Sequence, residues 1–105
     1  MKGRIDGVLY DTERATHLCV VPCCPPLGQA AYRHETTLYW QLEVGFFLAG
    51  HGGRYTLWTM REPNGDLRGS HGLVPVDAEE ARAIMEAFDC TEDQFAEVGF
   101  AVEVA

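Results

Sequence analysis

The chain has 105 residues, a hydrophobic fraction of 47%, a charged fraction of 23% and a formal net charge of −8 at pH 7. That length holds one domain with one core and no obligatory staples, and no run of about 18 apolar residues is present to span a membrane. The acidic balance argues against direct nucleic-acid binding, which needs a basic stripe to displace counterions.

Met1-Lys2-Gly3-Arg4-Ile5-Asp6 carries two basic residues, but no apolar stretch follows them as a secretory signal would require. A cytoplasmic location is therefore expected, with Cys19, Cys23, Cys24 and Cys90 reduced. Val8-Leu9-Tyr10 and His17 to Val21 read as short strands separated by the polar segment Asp11-Thr12-Glu13-Arg14. Pro22 to Gly28 reads as a loop, because its prolines remove backbone donors and forbid helix. Thr36 to Leu42 alternates as a half-buried strand, with Leu38, Trp40 and Leu42 on one face and Thr37, Tyr39 and Gln41 on the other. Glu43-Val44-Gly45 reads as a hairpin turn into a strand at Phe46 to Ala49. A loop at Gly50-His51-Gly52-Gly53 is expected next, then a strand from Arg54 to Met60. Asn64-Gly65 supplies the residues of a tight turn, and Leu73 to Val76 closes a meander.

The helical signals come last. Asp77 is placed to cap a helix and Glu80 to complete a capping-box-like pattern. Ala81, Ile84, Met85 and Phe88 fall at i, i+3, i+4 and i+7 as one apolar stripe to lay on the sheet. Arg82 and Glu86 have the spacing of an i,i+4 ion pair. A second, shorter helix starts at Thr91 with Gln94 at its box position and Gly99 as its stop, burying Phe95 and Val98. The expectation is an α+β fold, an antiparallel meander sheet of about four to six strands with one amphipathic C-terminal helix and a shorter second helix. Residues 1–105 are expected to form a single domain, 1–76 mainly β and 77–99 helical, with 100–105 able to return as a last strand.

Charge divides along the same boundary. Residues 1–76 hold seven acids and seven bases, whereas residues 77–105 hold nine acids and one base, Arg82. The helical third thus carries the whole −8. Acids at helix N-termini suit the macrodipole, and a solvated acidic face aids solubility. What these leave over is the near absence of balancing cations. Such a surface resembles a phosphate array with carboxylates in place of phosphates, and it suits docking on a basic surface. Glu79, Glu80, Glu86, Asp89, Glu92, Asp93 and Glu97 are the candidate partner-binding residues.

Other constellations are weaker. His17, Cys19 and Cys23 form the alternative, a small metal-binding or enzymatic site, because strand alternation would put His17 and Cys19 on one face. The spacing lacks the second ligand pair of a structural zinc site, and core packing for Cys19 and Cys90 is the plainer reading. Ser70-His71 reads as loop, since neighbours in an extended chain point to opposite sides and cannot form a nucleophile–base pair. The glycines from Gly45 to Gly53 lack the lysine and following helix of a phosphate loop. Tyr39, Trp40, Phe46, Phe47, Tyr55 and Trp58 form an aromatic belt, at least half of it expected in the core and the remainder suited to anchoring a partner.

Four stretches occur in order: Leu9-Tyr10-Asp11-Thr12-Glu13-x-Ala15, Glu35-Thr36-Thr37-Leu38-Tyr39, Gly45 to Gly53, and Val74-Pro75-Val76-Asp77-Ala78-Glu79-Glu80-Ala81. Together they resemble small uncharacterised proteins carried on bacterial mobile elements and phages, in which a tyrosine-rich strand pair and a glycine loop precede an acidic helix. The chain departs from that pattern at Cys23-Cys24-Pro25-Pro26, and no catalytic residue carries over. The resemblance implies a host-directed role in a bacterial cytoplasm, such as an anti-CRISPR inhibitor that imitates DNA, by analogy. The expected function is therefore non-enzymatic: an acidic inhibitor docking on a basic protein surface of a nucleic-acid-handling or CRISPR-Cas complex, without cofactor, membrane or direct nucleic acid.

Overall fold

A computed structural model of the chain describes residues 1–22, 30–88 and 90–100. Asp6 (φ 51°) and Gly7 (φ 82°) both take the left-handed backbone of a type I′ turn, which folds β1 (Lys2–Ile5) onto β2 (Val8–Asp11). The Asp11 carboxylate then accepts from the Glu13 N–H at 3.0 Å and starts a single 3-10 turn, Thr12–Arg14. The turn feeds β3 (Thr16–Val21). β4 (His34–Gln41) and β5 (Gly45–Gly52) follow, joined by a turn in which Glu43 has φ 67° and Gly45 φ 116°. The short strands β6 (Met60–Arg61) and β7 (Leu67–Arg68) pair around the Asn64-Gly65 turn, with Gly65 at φ 92°. β8 (Ser70–Val76) completes an antiparallel sheet of order β3-β4-β5-β8. Helices α1 (Ala78–Ala87) and α2 (Glu92–Glu97) close the described chain. The fold is α+β, with the expected meander and the expected longer and shorter helices.

Cross-strand register sorts the sheet into two covered faces. Cys19, Leu38, Leu48 and Val74 align in one row and Trp40, Phe46 and Val76 in the next, and Ala81 and Met85 of α1 pack against them. Leu38, Ala81 and Met85 are fully buried. Phe95 and Val98 of α2 lie against the same cluster. Trp58 fills the far end of this face, where its indole Nε1–H donates to Thr36 Oγ1 at 2.9 Å. The opposite face carries Tyr39, Phe47, Ala49 and Leu73, and the β1–β2 hairpin covers it through Tyr10 and Ile5. Gln41 ties the hairpin down. Its side-chain oxygen accepts from the Asp11 N–H at 2.9 Å, and its amide donates to the Leu9 carbonyl at 3.2 Å. The molecule is thus layered as hairpin, sheet and helices.

Six expectations are corrected. β1 lies outside the strands read from the sequence. The loop expected at Gly50 to Gly53 is strand as far as Gly52, and Gly50 is needed there because a side chain would meet the Glu35 carbonyl. The strand expected from Arg54 to Met60 is mostly a series of turns. Thr56 Oγ1 donates to the Gly53 carbonyl and Thr59 Oγ1 to the Arg54 and Thr56 carbonyls, so these hydroxyls draw the backbone out of extension. Leu42 leaves the Leu38–Trp40 face for the turn and is 69% exposed. Ser70 and His71 belong to β8, not to a loop. Phe100 is outside any strand and stacks on Phe46; the remainder of the expected last strand, 101–105, lies outside the described residues, as does 23–28 of the expected proline loop.

Candidate functional site

The acidic layer is built by two capped helices. Asp77 accepts from the Glu80 N–H at 2.8 Å and starts α1, placing Glu79 and Glu80 in its first turn, where carboxylates complement the helix dipole. Thr91 starts α2 with a full capping box, its hydroxyl accepting from the Gln94 N–H at 3.2 Å and its own N–H donating to Gln94 Oε1 at 2.9 Å. Glu92 and Asp93 occupy the first turn of α2 and Glu97 its last position. The Gln94 amide donates to the Leu18 carbonyl at 2.8 Å and holds α2 against β3.

Asp77, Glu79, Glu80, Glu86, Glu92, Asp93 and Glu97 are all exposed. Because Ala81 and Met85 face the sheet, the helical wheel turns Glu79 and Glu86 directly outward, two turns or about 10 Å apart along the axis. The one cation of this region, Arg82, is already engaged. Its Nε lies 3.2 Å from Glu86 Oε1, and its guanidinium sits 5.7 Å from the centre of the Phe100 ring. Asp89 lies outside the described residues. Arg33, Arg54, Arg61 and Arg68 are exposed on segments at the sheet end where β4 and β8 begin and β5 ends, whereas α1 starts from the end of β8. Arg68 there pairs with Glu62 at 3.7 Å, so that end is mixed in charge, whereas the exposed charges of α1 and α2 are carboxylates apart from Arg82.

The alternative site does not assemble as alternation predicts. A bulge at Leu18 shifts the register between His17, which pairs with Tyr39, and Cys19, which pairs with Leu38. His17 consequently faces the hairpin side, its ring 5.7 Å from that of Tyr39, while Cys19 is buried on the helix side. Cys23 lies outside the described residues. Burial pushes the Cys19 thiol up to about 12, helped by Cys90 beside it, which keeps the thiol protonated and a poor ligand at neutral pH. Among the described residues no group of three or more His, Cys, Asp and Glu side chains converges on a metal position.

Of the aromatic belt, Phe46, Phe47 and Trp58 are buried, Tyr39 and Trp40 half-buried and Tyr55 exposed, so core is the destination of at least half. Tyr55 stacks obliquely on Tyr32 at 5.1 Å beneath the Arg54 guanidinium. One set of titratable residues is absent from the sequence-derived candidates: Glu35, His51 and His71, aligned across three strands. Only the strand register reveals that set, because His51 sits among glycines that read as loop. Among the described residues no helix is long and apolar enough to cross a membrane. No family model, curated protein or solved structure matches the chain.

Proposed function

We propose that the chain is a non-enzymatic binding protein that docks its acidic helical layer onto a basic, nucleic-acid-binding surface of a partner protein and inhibits that partner by occupying the place of the nucleic acid. The single observation that carries this reading is the exposed array of six carboxylates on two helices, Glu79, Glu80, Glu86, Glu92, Asp93 and Glu97, whose one cation is spent on Glu86. Rigid backing favours it. Met85, Ala81, Phe95 and the Gln94 hydrogen bond fix both helices on the sheet, so the charges meet a partner without a large ordering cost. The likeness to mobile-element proteins makes a CRISPR effector complex the first partner to try.

Affinity capture from bacterial lysate tests the proposal, with the wild type beside a Glu79→Lys/Glu86→Lys variant whose fold is checked by circular dichroism. The wild type should retain a nucleic-acid-handling protein that the variant loses. Equal capture by both proteins would remove the acidic face from consideration.

A further inference from the structure

β4, β5 and β8 set Glu35, His51 and His71 in one transverse row on the hairpin-side face, since Glu35 opposes His51 and His51 opposes His71. All three are exposed. Glu35 Oε2 lies 3.0 Å from His51 Nε2, which leaves the Nδ1 lone pair of His51 available on the other side of the ring. A carboxylate held on one imidazole nitrogen fixes the tautomer and the ring orientation, as in carboxylate–histidine–metal relays. Directly opposed residues of an antiparallel pair have Cβ atoms about 4.5–5.5 Å apart. Two imidazoles at that spacing can lean onto one cation at metal–nitrogen distances of about 2.0–2.1 Å. Met1 lines a shallow cleft on either side, one shared with Glu35 and His51 and the other with His71.

We propose that His51 and His71 chelate a divalent transition metal of the imidazole-preferring class, Zn2+ or its neighbours Cu2+ and Ni2+, with Glu35 as the positioning carboxylate and water completing the shell. The site is independent of the acidic layer, which lies on the other face of the sheet. By joining β5 to β8 at the sheet end from which the β6–β7 hairpin projects, the ion staples that end of the fold.

Isothermal titration of the full chain with Zn2+ tests this under reducing conditions in a non-coordinating buffer. One ion per chain is expected. His51→Ala and His71→Ala should each weaken binding at least tenfold and Glu35→Gln about tenfold, while His17→Ala leaves it unchanged. A melting temperature that rises with Zn2+ in the wild type and not in His71→Ala provides a second readout. No detectable binding would overturn the proposal, and so would binding that survives the loss of His71.

Discussion

Burial of Cys19 among Leu38, Leu48 and Met85 pushes its thiol from an ordinary 9.0 up to about 12, with Cys90 adding to the effect. The consequence for stability has a definite sign. The unfolded chain releases this proton near 9.0, whereas the folded chain holds it to about 12, so across that window the unfolded state binds fewer protons. The contribution is complete below about pH 9 and is lost as pH rises through the folded value. Urea titrations between pH 8 and 12 under reducing conditions should show stability falling with pH, and Cys19→Ala should flatten that fall. An identical slope in the variant would mean that Cys19 is not protected as described. The same residue shows what a sequence leaves hidden. Its place in the core was legible from composition, but its separation from His17 depends on the bulge at Leu18, which moves alternate residues to opposite faces and which no periodicity announces.

The hairpin β1–β2 depends on Gln41 for its attachment to the sheet. That side chain satisfies the Asp11 N–H and the Leu9 carbonyl together, and truncation leaves both backbone groups without their partner. Gln41→Ala should destabilise the domain by about 2–4 kcal/mol, measured by urea denaturation, with amide exchange accelerating first in β1 and β2. Protection unchanged in the hairpin would assign its stability to Tyr10 and Phe47 packing alone. Helices were the most legible elements, since capping residues and a 3.6-residue stripe act locally: Asp77, Thr91 and Gln94 cap where their types predict. Strands were less so. The Asp6-Gly7 pair is a strong hairpin signal that marks β1, although Lys2 to Ile5 lacks a clear apolar alternation. Threonines and aromatics between Arg54 and Met60 have strand propensity, but side-chain hydrogen bonds from Thr56 and Thr59 to local carbonyls decide the backbone there.

On the scale of the whole molecule, layering and charge coincide. The neutral part of the chain supplies the sheet and the hairpin, and the acidic third supplies one outer layer. That segregation was visible by counting residues. Its orientation was visible too, because the apolar stripe of α1 dictates that Glu79 and Glu86 face outward. The Glu35–His51–His71 row was invisible, since it joins residues from three strands whose register only the folded sheet defines. A carboxylate array that stands in for phosphates should compete with nucleic acid for one surface, and its binding should weaken steeply with salt. The most direct measurement is therefore competition: the captured partner is held on immobilised protein and challenged with short duplex DNA over a range of salt concentrations. If the carboxylates imitate phosphates, DNA displaces the partner, added salt weakens the complex, and Glu79→Lys/Glu86→Lys abolishes it. A partner retained through saturating DNA and high salt would contradict the mimicry.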